Sequence, residues 1–143
     1  MKNFGKKFSI TFLVIALFFG FAGQAWAVSG WTQIPETGEK GWTGIASSSD
    51  GVKLVAVAID GVYTSNDSGA TWTSRSVSGL SSGRSVASSS DGVKLVIGDG
   101  NNGYIYTSTD SGATWTERTG AGTGFWYSVS SSSDGTKLIA LAS

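Results

Sequence analysis

The nonapeptide Ser-Asn-Asp-Ser-Gly-Ala-Thr-Trp-Thr at residues 65–73 returns at residues 108–116 with one change, Thr109 standing where Asn66 stood. Such an identity, 43 positions apart, means that the chain is built from a repeated unit. Repetition limits the available folds more sharply than composition does. Asp-Gly pairs beginning at Asp50, Asp91 and Asp134 mark three copies of another segment, spaced by 41 and 43 residues. From Asp67 to Asp91 and from Asp110 to Asp134 the distance is 24 in both units. A single insertion, Gly-Asn-Asn-Gly at 100–103, therefore explains the longer second period.

Each unit reads as four short strands, A to D. In the first unit they fall at residues 42–47, 53–59, 62–65 and 72–76, and in the second at 85–89, 94–97, 104–108 and 115–119. Leu54, Val55, Val57 and Ile59 give strand B a nearly continuous apolar run, suited to burial on both faces. Asp60-Gly61 is a two-residue hairpin signal and predicts a type I′ turn, with positive φ at both positions. No window carries a helical period. Four antiparallel strands per 40–45 residues are the mark of a β-propeller blade. The expected fold is all-β, an incomplete β-propeller of about two and three-quarter blades. Residues 28–41 hold a lone outer strand at 31–35, residues 42–83 form blade 1, and 84–124 form blade 2. Residues 125–143 supply only strands A (127–131) and B (137–141) of a third blade.

The repeated pattern is Ser-x-Asp-x-Gly-x-x-Trp: Ser65, Asp67, Gly69 and Trp72, then Ser108, Asp110, Gly112 and Trp115. It falls between strands C and D, where the chain must reverse. A carboxylate there can accept hydrogen bonds from loop N–H groups that have left the ladder. Glycine takes a left-handed conformation that a side chain resists, and Trp folds back as an apolar plug. These residues resemble the Asp-box, or BNR repeat, of sialidases, sortilin-type ectodomains and photosystem II assembly factor-like propellers. The resemblance covers residues 31–143. It implies a propeller whose boxes are structural turns, together with protein, peptide or sugar binding according to the relative.

The N-terminus is read separately. Lys2, Lys6 and Lys7 precede an apolar run over residues 10–21, and Ala25-Trp26-Ala27 ends with small residues at −3 and −1. That reads as a secretory signal at residues 1–27, whose apolar run is short for a bilayer span of about 20 residues, so stable membrane insertion is not expected after cleavage; an uncleaved membrane anchor is the alternative. The expected location is secreted or periplasmic. Of ten Lys and Arg, three lie in the leader and none of the ten acids does, leaving a net charge of −3. The remaining cations are scattered singly, which argues against nucleic acid. There is neither cysteine nor histidine, so disulfides are excluded and the commonest general base and metal ligand are missing.

A sialidase-like activity would need three arginines converging on a carboxylate, with a Tyr/Glu nucleophile pair and an acid. Arg75 and Arg118 occupy equivalent strand D positions in successive blades, so they and Arg84 are not expected to meet. Tyr63, Tyr104 and Tyr106 fall on strand C, away from a central pocket. No catalytic residue, cofactor or metal is expected. The oxygens of Asp99 and Asn101 have a spacing found in calcium loops, but a hairpin tip needs no metal to use Asn and Gly. Phe125, Trp126 and Tyr127 are the candidate ligand contacts. The expected function is a non-catalytic binding module or scaffold for a protein or glycan ligand. The alternative is part of a sialidase-like glycoside hydrolase whose catalytic residues lie elsewhere. Blade count favours a piece of a larger propeller. A ring of copies joined through open blade edges, and an open stack, are the other arrangements.

Overall fold

The computed structural model describes Val14–Ile15, Thr32–Gln33 and residues 40–143. Val14–Ile15 (β1) and Thr32–Gln33 (β2) form a short antiparallel pair. Apart from Val14–Ile15, the leader assigned to residues 1–27 lies outside the described residues. The lone outer strand expected at 31–35 is described only at Thr32–Gln33, whose partner is β1. Among the described residues no helix is long and apolar enough to cross a membrane.

Three antiparallel sheets follow. The first is β3 (Trp42–Ser47), β4 (Leu54–Ala58), β5 (Gly61–Ser65) and β6 (Thr73–Arg75), in that spatial order. The second repeats it with β7 (Gly83–Ser88), β8 (Leu95–Asp99), β9 (Ile105–Ser108) and β10 (Thr116–Arg118). After a single 3-10 turn at Thr119–Ala121, β11 (Trp126–Ser131) and β12 (Leu138–Ala142) make a two-stranded third sheet. Inner strand β7 lies between β3 and β11, so the sheets succeed one another as blades around an axis. The described residues form an all-β, incomplete propeller of two four-stranded blades and one two-stranded sheet.

The second strands are buried throughout in the first two blades because each is covered on both faces: β4 is LVAVA and β8 is LVIGD, with every residue buried. A core of Val55, Val57, Val62, Val86, Leu95, Ile97 and Tyr106 joins blade 1 to blade 2. Each such aliphatic side chain contributes about 1.5–3 kcal/mol on burial. Tyr106, on the third strand of blade 2 as expected, is 1 % exposed and packs within this seam.

The hairpin between β4 and β5 corrects the expected turn. Ala58 pairs with Gly61, which puts Ile59-Asp60 at the tip, and neither Asp60 nor Gly61 has positive φ. The register is held from outside the hairpin. Ile59 N donates to Gly41 O at 3.0 Å, and Lys40 Nζ contacts Asp60 Oδ2 at 2.8 Å. Positive φ is needed instead in the turns between first and second strands, at Gly51 (72°), Gly92 (68°) and Gly135 (65°).

Candidate functional site

The two SxDxGxxW loops are built alike, atom for atom. Ser65 and Ser108 end β5 and β9 and are buried. The Ser65 hydroxyl donates to Asp67 Oδ1 at 2.7 Å and accepts from Gly69 N at 2.8 Å. Asp67 also receives Thr71 N at 2.9 Å and the Thr71 hydroxyl at 2.5 Å. In the second loop Asp110 receives the Ser108 hydroxyl at 2.8 Å, Thr114 N at 2.9 Å and the Thr114 hydroxyl at 2.6 Å. Trp72 and Trp115 each donate Nε1 to the loop glycine's carbonyl oxygen at 3.1 Å. Glycine and the serine before it are both left-handed: Ser68 and Gly69 at 58° and 85°, Ser111 and Gly112 at 59° and 84°. The sequence pattern had not singled out the threonines or those serines. Their identity in both copies of the nonapeptide was the signal.

A second device recurs three times. Ser48, Ser89 and Ser132 donate their hydroxyls to Asp50, Asp91 and Asp134, and accept from Lys53 N, Lys94 N and Lys137 N at 3.0 Å. These turns also bond across blades: Ser49 N donates to Ser90 O, and Ser90 N to Ser133 O, both at 2.7 Å. Thr43 Oγ1 donates to Gly83 O at 2.7 Å, and Val129 N to Ser85 Oγ at 3.0 Å. The serine tracts are therefore the polar rung that ties one blade to the next.

Hydrogen bonds to the ionised form hold these carboxyls low. For Asp67 and Asp110, the Thr71 and Thr114 hydroxyls lead, followed by the backbone N–H of the same threonines, and bring both to about 2. Asp134 lies at about 2 through the Ser132 hydroxyl and then Thr136 N. Asp50 and Asp91 are lowered chiefly by Ser48 and Ser89. In the unfolded chain such carboxyls take up protons near 3.8. Between that value and about 2 the unfolded state binds more protons, so this contribution is fully present above the unfolded value. It is lost as pH falls toward 2. Melting temperature is therefore expected to drop between about pH 4 and pH 2, and a chain carrying Asp67→Asn with Asp110→Asn should show a shallower drop. An unchanged acid limb in that variant would contradict the assignment.

The other candidates separate. Arg75 Nε donates to Thr64 Oγ1 at 2.8 Å and Arg118 Nε to Thr107 Oγ1 at 2.7 Å, in different sheets. Asp99 is buried, with its oxygens accepting Ser81 N at 2.7 Å and Asn101 N at 2.8 Å, so it gathers the inter-blade loop and the Gly-rich tip. Among the described residues no cluster of three or more Asp or Glu could hold a metal ion. Phe125, Trp126 and Tyr127 divide. Trp126 turns to blade 2 and donates Nε1 to Gly103 O at 3.0 Å. Phe125 and Tyr127 are 40 % and 50 % exposed, and the Arg84 guanidinium lies 5.8 Å from the Tyr127 ring centre.

No protein-family profile matches the chain, and no curated protein matches it. Among solved structures, one described as YCF48 bound to D1 peptide superposes with a TM-score of 0.52 at 17 % identity, covering 71 % of this chain and 40 % of that one. Another, a GH74 enzyme from Niastella koreensis, has a TM-score of 0.46 at 33 % identity, covering 53 % of this chain and 11 % of that one. The chain thus spans well under half the length of either. The likeness to the first is one of propeller fold.

Proposed function

We propose that this propeller segment is a non-catalytic binding module or scaffold of the Asp-box type, acting in a secreted or periplasmic setting, with a protein or peptide as its ligand. The observation that carries the reading is the exposed pair Arg84 and Tyr127 on neighbouring inner strands, beside exposed Phe125. A guanidinium over an aromatic face offers both a fork for carboxylates and a surface for stacking. Against catalysis, Arg75 and Arg118 are committed to threonine hydroxyls in separate sheets and do not converge with Arg84. The solved propeller carrying the D1 peptide makes peptides the first ligand class to test. Glycans come second, favoured by the exposed aromatic faces of Phe125 and Tyr127.

The test is to screen the whole chain against peptide and glycan arrays, then remeasure the hits with Arg84→Ala and Tyr127→Ala. Both side chains are exposed, so folding should survive, while affinity should fall about three- to tenfold in each variant. Hits indifferent to both variants, or no hits in either array, would defeat the proposal.

A further inference from the structure

Of the asparagines in the chain, Asn102 alone precedes a glycine. Glycine has no side chain to shield its own amide nitrogen, so an Asn-Gly bond is where a main-chain nitrogen most easily reaches a side-chain carbonyl. Asn102 stands exposed at the tip between β8 and β9, in a left-handed conformation with φ of 52°. The hydrogen bonds of this tip are made by other groups. Gly100 N donates to Ser82 O at 2.9 Å and Asn101 N to Asp99 Oδ1 at 2.8 Å. Gly103 O accepts from Gly124 N at 2.9 Å and from Trp126 Nε1 at 3.0 Å. Among the described residues, none of these bonds uses the Asn102 side chain or the Gly103 N–H.

We infer that Asn102 is a site of spontaneous covalent modification, deamidating through attack by Gly103 N on its side chain. The nitrogen gives up its proton to solvent base and bonds to Asn102 Cγ, and the side-chain amide nitrogen leaves as ammonia. The product is a cyclic succinimide. Water then opens it at one of two carbonyls. Opening at the side-chain carbonyl gives aspartate, and opening at the main-chain carbonyl gives isoaspartate. Water is the one co-reactant consumed, and ammonia the one product released.

The other candidate bonds are protected. Asn66 precedes Asp67, whose N–H donates to Ser65 Oγ at 3.3 Å, and Asn101 precedes a residue with a side chain. The Asp-Gly pairs at Asp50, Asp91 and Asp134 cyclise only through a protonated carboxyl. Hydroxyls of Ser48, Ser89 and Ser132 bond to those carboxylates and keep them ionised to lower pH. Asp60 is paired with Lys40.

The change falls on a joint. Isoaspartate carries the main chain through its β-carbon and so adds an atom between residues 102 and 103. Gly103 O, which ties the tip of blade 2 to Gly124 and Trp126 of the third sheet, is then displaced from both donors. The chain cannot absorb the shift at Gly103, because the Asp99 carboxylate lies where a Cβ on that residue would stand.

The test is incubation of the whole chain in neutral and mildly alkaline buffer. Peptide mass spectrometry locates the conversion, and isoaspartyl methyltransferase labelling scores isoaspartate. Position 102 should convert first, faster at the higher pH, and give both isomers, with Asn66 and Asn101 intact when half of Asn102 is gone. In the converted chain the Trp126 indole N–H should lose its protection from exchange. Asn102→Gly keeps the positive φ and has no amide to lose, so it should retain that protection through the same incubation. Conversion of Asn66 or Asn101 at the rate of Asn102 would overturn the inference. So would reaction in urea with none in the folded chain, aspartate without isoaspartate, or a converted chain whose Trp126 N–H stays protected.

Discussion

Replacing Tyr106 with alanine should lower the unfolding free energy by about 3–5 kcal/mol, the range for removing a large buried aromatic side chain. Tyr106 is 1 % exposed and packs with Val55, Val57 and Val62 of blade 1 and with Ile97 of its own blade. Its loss opens a cavity in the seam that makes two blades one cooperative unit. Burial first, and then the charge of Glu117, push the phenol up to about 12, so it is neutral throughout the physiological range. The hydroxyl is 3.5 Å from Glu117 Oε2, the outer limit of a hydrogen bond. Tyr106→Phe should accordingly cost less than about 1 kcal/mol. Urea unfolding of the two variants separates ring from hydroxyl. Equal costs for both would contradict the packing account.

The second large effect is a collision that a partner substitution should relieve. Val57 of blade 1 faces Gly83, the first residue of β7; one repeat later, Gly98 faces Trp126, the first residue of β11. The two interfaces exchange large and small: valine over glycine in one, glycine over tryptophan in the other. A Cβ on Gly98 would lie 2.7 Å from Trp126 Cβ and 3.0 Å from the Trp126 carbonyl oxygen. No rotamer change moves either atom. Gly98→Val is therefore expected to destabilise by about 1–3 kcal/mol or more through overpacking. Combined with Trp126→Gly, which recreates the Val57–Gly83 pair, it should show a favourable coupling of about 0.5–3 kcal/mol. Strictly additive costs would mean that the third sheet does not pack on the second as described.

The strands were legible because each second strand is an apolar run between turn signals, and because two copies corroborate each other. All ten blade strands occur where the pattern placed them, within a residue or two. The hairpin tip at Ile59-Asp60 was not legible. Its register depends on Lys40 and Gly41, which belong to no part of the hairpin. The role of Asp99 is not legible either, because its partner Ser81 N lies 18 residues earlier, beyond any local pattern. The rungs Ser49 to Ser90 and Ser90 to Ser133 join positions still further apart in the chain. Phe125, Trp126 and Tyr127 read as one cluster in the sequence, yet successive residues at the start of a strand point alternately. That alternation sends Trp126 to blade 2 and leaves its neighbours outside.

The central claim is that the repeated loops are clasps, each carboxylate being occupied by its own loop. Site-resolved carbon-13 titration of Asp67 and Asp110 by NMR tests it directly. Both should titrate near 2 and keep their chemical shifts when calcium is added. Titration near 3.8, the ordinary value for such a carboxyl, or a calcium-dependent shift at both positions would show carboxylates free to bind something else, and would contradict the account.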